Sequence, residues 1–346
     1  MITRTPIAVH DADVHDVDAA PVAASWQRQL SAAITDPLEL CRRLDLDPGW
    51  LPGAEAGHAL FATRVPEAYL ARIRPRDPGD PLLRQVLPVA SETETATGFV
   101  DDPLAERDHT PKPGLIHKYA GRVLLIASPA CAINCRYCFR RHFPYDDNAP
   151  SMREWETTLD YLRGDDSIRE VILSGGDPLA SSDRRLAALV ERLSEIPHLK
   201  RLRIHTRLPV VIPARVDDAL LGWLGETRLQ RVMVLHINHA QEIDDAVIGA
   251  CQRLRDAGVT LLNQSVLLRG VNDDVATLEA LSEQLFDAGV LPYYLHVLDP
   301  VRGASHFDVG DDEARDLVAA LRARAPGFLV PRLVREIPGE PNKTPL

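Results

Sequence analysis

The chain has 346 residues, enough for one large domain or two modest ones, and its hydrophobic content of 45% is ordinary for a globular protein. Lys and Arg number 39 against 50 Asp and Glu; the resulting charge of −11, without a long basic run, argues against a general nucleic-acid-binding surface. No apolar stretch is long enough for a membrane span or a secretory signal, and five cysteines, three of them clustered, do not resemble a secreted disulfide framework, so a cytoplasmic location is expected.

The N-terminal third is predicted to be helical and irregular. Residues 1–22 lack clear periodicity and are expected to be a loose arm. Apolar residues from Trp26 to Leu46 recur at helical spacing, and Asp36-Pro37 marks a break between two short helices. Another helix is predicted over 64–75, and the proline-rich segment 80–119 is interpreted as a long wrapping connection.

From Arg122 onward, short apolar runs alternate with amphipathic stretches. The runs lie at 122–128, 169–174, 201–205, 230–236, 259–266 and 292–298, and the amphipathic stretches at about 152–164, 183–196, 216–225, 241–257, 275–288 and 311–324. Such alternation predicts an α/β fold with parallel strands and right-handed crossovers. Six units are too few for an eight-fold barrel, so an open or partial barrel is expected, with a further strand candidate at 327–334.

Three cysteines, Cys131, Cys135 and Cys138, follow the first apolar run at C-x3-C-x2-C spacing. Three thiolates on one loop can hold a soft metal centre, and three ligands for a four-iron cluster would leave one iron open for chemistry. A zinc site with His142 as fourth ligand and unligated structural cysteines remain alternatives at this point. The other two cysteines, Cys41 and Cys251, lie in helical patterns and are expected to be inert buried thiols.

Other polar residues follow the predicted strands, at the end of the sheet where active sites form in such folds. They are Ser174-Gly175-Gly176-Asp177, His236, Gln264 and Asp299. The two glycines would let a ligand approach the backbone, although a Gly-Gly turn is more often only a turn. Each of the other side chains could equally be a satisfied polar group or a loop cap.

Lys343 is the fourth residue from the end, in a segment rich in proline and glycine. A tail lysine is most often a solvated charge. If the prolines and glycine pin the segment over the barrel, however, its amine could bind an aldehyde cofactor such as pyridoxal phosphate.

Taken together, these motifs make the chain resemble the radical S-adenosylmethionine (SAM) enzymes, and among them the lysine 2,3-aminomutase family. The matching phrases extend from about residue 60 to the C-terminus and include Asp80-Pro-Leu-Leu-Arg-Gln85, Pro113-Gly-Leu-Ile-His-Lys-Tyr119 and Leu262-Asn-Gln-Ser-Val-Leu-Leu-Arg-Gly-Val-Asn-Asp273. The short length and the Lys-Thr-Pro-Leu ending resemble the branch that makes (R)-β-lysine for elongation factor P. The long clostridial-type relatives carry a zinc-binding extension that this sequence lacks.

The resemblance implies a radical SAM partial (β/α)6 barrel over 119–334, after an N-terminal helical and wrapping region over 1–118 and before a C-terminal segment over 335–346. It assigns Cys131, Cys135 and Cys138 to a [4Fe–4S] cluster. Contacts to SAM are implied for a second set of residues: Ser174, Gly175, Gly176, Asp177, His236 and Gln264.

The second cofactor implied by the resemblance is pyridoxal 5′-phosphate. Lys343 matches the lysine that holds it, and Lys118, Tyr119 and Arg122 match groups near its phosphate. Family members usually have arginine where this chain has Lys118, and phosphate binding tolerates either residue.

Three further residues match substrate contacts. Arg140 matches the arginine that binds the carboxylate of lysine, and Asp299 and Glu336 match the two acids that receive its distal ammonium group. The long relatives have aspartate at the position of Glu336.

The implied reaction is conversion of L-α-lysine to (R)-β-lysine by a 5′-deoxyadenosyl radical and a pyridoxal-phosphate-dependent 1,2-amino shift. A reductase or flavodoxin-like electron donor and a functional link to an elongation factor P lysyl ligase are expected, and a dimer is one alternative for the oligomeric state. The other interpretations are an aminomutase for another amino acid such as glutamate, a radical enzyme without pyridoxal phosphate, and a non-enzymatic zinc or iron–sulfur protein. An acidic pair facing the distal end of the substrate argues against glutamate.

Overall fold

The computed structural model describes residues 25–145 and 152–346, and the strands within these ranges form one nine-stranded sheet whose order follows the chain. The strands are β1 (Leu115–Tyr119), β2 (Arg122–Ser128), β3 (Glu170–Gly175), β4 (Arg201–Thr206), β5 (Gln230–Leu235), β6 (Thr260–Val266), β7 (Leu291–His296), β8 (Arg332–Arg335) and β9 (Thr344–Pro345). Strands β2 to β8 are parallel, whereas β1 on β2 and β9 on β8 are antiparallel. The α/β fold expected from the sequence is confirmed.

Helices follow most of the parallel strands. The α-helices of the described ranges are α1 (Trp26–Ser31), α2 (Pro37–Arg43), α3 (Leu51–Leu60), α4 (Glu67–Leu70), α5 (Pro81–Arg84), α6 (Met152–Arg163), α7 (Asp183–Ser194), α8 (Leu208–Val211), α9 (Asp218–Glu226), α10 (Asp245–Asp256), α11 (Val275–Asp287) and α12 (Asp311–Arg322). Asp217, Asp244 and Asp274 cap α9, α10 and α11 by accepting a backbone hydrogen bond in the first turn. No helix of the described residues is long and apolar enough to cross a membrane.

The sheet is strongly curved, as a contact between residues near its two ends shows. Lys118 on β1 donates a 2.9 Å hydrogen bond from Nζ to Glu336, the residue after β8. In a flat sheet, β1 and β8 would be roughly 34 Å apart, since neighbouring strands are spaced about 4.8 Å. The sheet therefore curls into a partial barrel whose gap is bridged by side chains.

Alternation along the strands separates the barrel interior from the helical layer. In β4, Leu202 and Ile204 are buried in the hydrophobic core, whereas Arg203 and His205 line the interior. Successive side chains of a strand point to opposite faces, so polar residues at every second position can line a cavity. Gln264 on β6 reaches the interior in the same way.

The predicted strands and helices of the barrel agree with the structure within a few residues. Strands β1 and β9 were not predicted, the expected strand over 327–334 is limited to β8, and the helix expected over 64–75 is limited to α4. The two short helices predicted before Leu46 are α1 and α2, and α3 was missed. The loose arm expected over 1–22 lies outside the described residues.

Candidate active site

One cavity of about 530 Å³ occupies the barrel interior and contains every site residue predicted from the sequence. These residues are Lys118, Tyr119, Arg122, Cys131, Cys135, Cys138, Arg140, Ser174, Gly175, Gly176, Asp177, His236, Gln264, Asp299, Glu336 and Lys343. They extend from Lys118 to Lys343 along the chain, and they lie on β1, β2, β3 and β6 or in segments outside the strands. Only the folded barrel brings them together.

The three clustered cysteines lie on the loop that leaves β2, and all three are free thiols that line the cavity. Burial and then the charge of Cys135 raise the pKa of the Cys138 thiol to about 11. Burial and then the charge of Cys138 raise the pKa of Cys131 well above its usual range. Thiolates that repel each other in this way fit a shared positive centre, and sulfur donors suit an iron–sulfur cluster.

The alternative of a zinc site with His142 finds no support in the described residues. The Nε2 atom of His142 lies 3.2 Å from the carbonyl oxygen of Arg302, and His142 is not among the residues that line the cavity. Within residues 25–145 and 152–346, no three His, Cys, Asp or Glu side chains are arranged to hold a single metal ion. The cluster assignment therefore depends on the donor chemistry of one loop and on the shared cavity. The other two cysteines, Cys41 and Cys251, are buried in α2 and α10, as expected of structural thiols.

The cysteine loop is fixed from the N-terminal side by Arg136, which is fully buried. Its guanidinium donates two hydrogen bonds to Glu92 and further bonds to the carbonyl oxygens of Gly57 and Phe61. A buried, fully paired arginine of this kind holds a loop in one geometry because leaving either charge alone would be costly. The region before the barrel thus helps to position the cysteines.

Gly175 and Gly176 are needed for close packing against the same loop. A Cβ atom on Gly175 would lie 2.4 Å from the carbonyl oxygen of Ser128, and one on Gly176 would lie 2.5 Å from that of Ala130. Gly175 also has a φ of +128°, which side chains rarely adopt. The glycines therefore allow the cysteine loop to pack against the end of β3, a structural role that the sequence interpretation had not considered.

Arg140 lies in the cavity, 6% exposed, and is already paired with an acid. Its Nε and one terminal nitrogen each donate a 2.8 Å hydrogen bond to Glu106, and its other terminal nitrogen donates to Ser174 Oγ at 2.9 Å and to the carbonyl of Gly175 at 3.2 Å. This geometry fixes the guanidinium at the β3 end of the cavity. A substrate carboxylate would have to bind beside Glu106 or displace it.

Asp177 is buried, and both oxygens of its carboxylate accept hydrogen bonds from neighbouring residues. One oxygen accepts hydrogen bonds from Thr206 Oγ1 and the Leu179 amide, and the other accepts from the amides of Arg207 and Leu208. The carboxylate thus joins the turn after β3 to the turn after β4. A direct cofactor contact through this side chain would have to replace one of these bonds.

Histidines form part of the interior wall. Burial and the positive charges of Arg207 and Lys343 lower the pKa of His236 to about 4, and burial lowers the pKa of His205 and His296 well below the usual value. The Nε2 atoms of His205 and His296 are buried without a hydrogen-bond partner within the described chain. A neutral imidazole with an unpaired nitrogen can accept a hydrogen bond from a bound group or donate one to it.

The C-terminal segment closes the gap between the sheet edges. After β8 the chain turns back, and β9 pairs antiparallel with β8 through Val334 and Arg335. Asn342 accepts hydrogen bonds from the Lys343 amide at 2.9 Å and from Arg122 at 3.0 Å. The tail is therefore held against β8 and against Arg122 on β2, and Lys343 is directed into the cavity instead of into solvent.

Glu336 binds two ammonium groups at once. Its Oε1 accepts from Lys118 at 2.9 Å and its Oε2 from Lys343 at 2.8 Å. Burial alone would raise the pKa of Glu336, but the two lysines outweigh burial and hold the pKa well below its usual range. Glu336 is therefore a charged ammonium receptor at the β8 end of the cavity.

Asp299 has a different electrostatic environment. Burial and then the charge of Glu336 raise the pKa of Asp299 to about 7, against the lowering effect of Lys343 and Lys118. Its carboxylate lines the cavity and makes no hydrogen bond within the described residues. A cationic group that entered the cavity would find this acid open.

Two residues of the site, Glu106 and Arg207, were assigned no role from the sequence. Glu106, which pairs with Arg140, belongs to the segment interpreted as a wrapping connection. Arg207 contacts Cys135 Sγ from the turn after β4. An acid opposite a predicted carboxylate-binding arginine cannot be found from the spacing of residues along the chain, because the pair is 34 residues apart.

Comparison with known proteins is consistent with this geometry. The radical SAM superfamily profile matches residues 125–281, which include the cysteine loop and β3 to β6. Over 94% of its length the chain is 52% identical to the L-lysine 2,3-aminomutase of Escherichia coli K12, covering 95% of that protein. It is 51% identical to the enzyme of the same name from Haemophilus influenzae, over 92% of this chain and 95% of that protein. It is 37% identical to that of Clostridium subterminale, over 98% of this chain but 79% of that longer protein.

Proposed function

The chain belongs to the L-lysine 2,3-aminomutase family of the radical SAM superfamily, and from this premise we propose that it converts L-α-lysine to (R)-β-lysine. Its cofactors are a [4Fe–4S] cluster, SAM and pyridoxal 5′-phosphate. When bound, the cluster and SAM supply a 5′-deoxyadenosyl radical, and pyridoxal phosphate carries the migrating amino group. One observation carries the proposal: the cysteine loop, Lys343 and the acids Asp299 and Glu336 line a single cavity.

The cofactor-binding residues divide by position. Cys131, Cys135 and Cys138 hold the cluster, while Lys343 binds the aldehyde cofactor. Its phosphate is held by Lys118, Tyr119 and Arg122. The support for the phosphate site is the placement of two cationic side chains beside Lys343, across the gap between the sheet edges. Ser174, the two glycines after it, Asp177, His236 and Gln264 form the wall that SAM contacts.

The substrate-binding residues form two opposed charges. Arg140 binds the carboxylate of lysine, and Asp299 and Glu336 bind the distal ammonium. The contact between Lys343 and Glu336 supports the second assignment, because the bound group is itself a lysine ammonium. Fixing a flexible substrate at both ends holds the reacting carbon in place, and a dry interior protects a radical from water.

A second assignment concerns what the product is used for. The support is length, because the chain spans 95% of the E. coli relative but 79% of the clostridial one. We propose that it supplies β-lysine to a ligase that modifies elongation factor P and that it receives electrons from a reductase or flavodoxin-like donor. Co-purification and ligase-coupled product transfer would test the first part.

The reaction is tested by anaerobic incubation of the reconstituted protein with reductant, SAM and L-lysine, followed by chiral product analysis. We expect (R)-β-lysine, together with an absorbance at about 420 nm that is lost in Lys343→Ala. Lys200→Ala, at an exposed lysine far from the tail, is the matched control. An unchanged 420 nm band in Lys343→Ala would favour a radical enzyme in which this lysine holds no cofactor.

A further inference from the structure

Arg207 contacts the sulfur of one of the clustered cysteines. It follows β4 directly and is 5% exposed, and one terminal nitrogen of its guanidinium lies 2.8 Å from Cys135 Sγ. This contact is a hydrogen bond from a permanent cation to a sulfur donor. No direct contact with the substrate, SAM or pyridoxal phosphate is assigned to Arg207.

The guanidinium cannot move away from Cys135 without breaking several other bonds. Its second terminal nitrogen donates to Glu242 Oε2 at 2.8 Å, to Gln85 Oε1 at 2.7 Å and to the Tyr69 hydroxyl at 3.3 Å. Glu242 is in turn fully buried. The arrangement therefore fixes a positive charge beside the sulfur of Cys135 and an acid, Glu242, at the other terminal nitrogen of the guanidinium.

A fixed charge beside a cluster ligand changes the electronic energy of the cluster. The reduction potential of an iron–sulfur cluster depends on its net charge, its solvent exposure and the hydrogen bonds to its sulfurs. Reduction adds negative charge, so a cation hydrogen-bonded to a ligand sulfur stabilises the reduced state. The effect is large in a buried site, where charges interact more strongly than in water.

We propose that Arg207 is a positioning residue that tunes the cluster, making it easier to reduce, and that Glu242 partly offsets this effect. The inference rests on the proposed function, because it takes Cys135 as a cluster ligand. It assigns a task to a buried ion pair that lies outside the substrate and pyridoxal phosphate sites.

The test is a redox titration of the reconstituted cluster without SAM, monitored by electron paramagnetic resonance. At a fixed potential, Arg207→Gln is expected to lower the ratio of reduced to oxidised cluster by about tenfold, equal to a shift of about 59 mV for one electron. Arg207→Lys keeps the positive charge but lacks the two terminal nitrogens of the guanidinium. Its ratio of reduced to oxidised cluster is expected to lie much closer to wild type than that of Arg207→Gln. Arg215→Gln, at another fully buried arginine that bonds to Leu179 and Asp183, is the control for loss of a buried guanidinium.

Glu242→Gln distinguishes an electrostatic effect of Arg207 on the reduction potential from a general loss of order around the cysteine loop. Removing the acid leaves Arg207 uncompensated, so the reduced fraction is expected to rise, opposite to the effect of Arg207→Gln. If Arg207→Gln fails to fold, Glu242→Gln decides the question. A potential equal to wild type in Arg207→Gln or in Glu242→Gln, measured on protein that folds and carries normal iron, would overturn the inference. Shifts of the same sign in these two variants would also overturn it. A wild-type protein that binds no cluster would instead overturn the proposed function.

Discussion

Lys343 donates a 2.8 Å hydrogen bond from Nζ to Glu336, which lies seven residues earlier in the chain. The pair joins the proposed cofactor lysine to the proposed substrate acid. Lys118 donates to the other oxygen of the same carboxylate, so one acid organises two amines. Release of Lys343 from Glu336 would leave the acid open for the ammonium of the substrate.

Glu336→Gln is expected to weaken lysine binding. Removing one partner of a desolvated charge pair typically costs about 2–5 kcal/mol, and each 1.4 kcal/mol is about tenfold in affinity. We expect KM for lysine to rise at least about tenfold, with cluster content unchanged. Glu340→Gln, at an exposed acid of the same tail, serves as the control. A normal KM in Glu336→Gln would remove Glu336 from the substrate site.

Lysine binding is expected to depend on pH through Asp299. Its pKa is raised to about 7 by burial and by Glu336, so the carboxylate loses its charge as the pH falls through 7. The substrate ammonium, with an ordinary pKa of about 10.4, keeps its charge over the same range. Lysine affinity is therefore expected to fall as the pH is lowered from 8 to 6.

The matched variant for this prediction is Asp299→Asn. It should bind lysine weakly at every pH and lack the step near pH 7, as measured by initial rates across the pH range. The same step in Asp299→Asn as in wild type would assign the titration to another group.

Arg140 and Glu106 allow structural and substrate roles to be separated. Arg140→Gln leaves Glu106 buried without its partner, and breaking a buried pair in this way costs about 3–5 kcal/mol of stability. The double variant Arg140→Gln/Glu106→Gln removes both charges and is expected to recover most of the free energy of unfolding. Denaturant unfolding measures this recovery, and lysine turnover should remain lost in both variants. Full turnover in the stable double variant would show that Arg140 does not bind the substrate.

Gly176→Ala is expected to displace the cysteine loop. The new Cβ would lie 2.5 Å from the carbonyl oxygen of Ala130, just before Cys131, and neither backbone can yield easily. Iron and sulfide content after reconstitution should fall severalfold. Gly222→Ala, on the exposed side of α9 where a Cβ would meet nothing within 4 Å, should keep full iron content. Equal iron content in the two variants would contradict this role for Gly176.

The barrel could be predicted because its signals are local. Apolar runs and amphipathic stretches mark β2 to β7 and the long helices, and an aspartate cap such as Asp217 starts the helix that follows it. Strand β9 could not be predicted, because two residues carry no periodicity and the strand exists only through pairing with β8.

The sequence indicated residues that line the cavity, but not how they pair. The cysteine spacing and the family phrases named sixteen of the lining residues, whose roles remain predictions. Nothing along the chain indicated that Asp177 is saturated by the turn after β4, that Glu106 faces Arg140, or that Arg207 contacts Cys135. These contacts join residues at least 29 positions apart and depend on how the strands lie side by side.

The most direct test of the account compares three substrates under identical anaerobic conditions with reductant and SAM: L-lysine, L-norleucine and L-glutamate. Norleucine has the carbon chain of lysine without the distal ammonium, and glutamate presents an acid where Asp299 and Glu336 line the cavity. Chromatography of the β-amino acid products is the measurement. We expect β-lysine from lysine and, by comparison, little or no product from the other two. Conversion of norleucine or glutamate as efficient as that of lysine would contradict the proposed function.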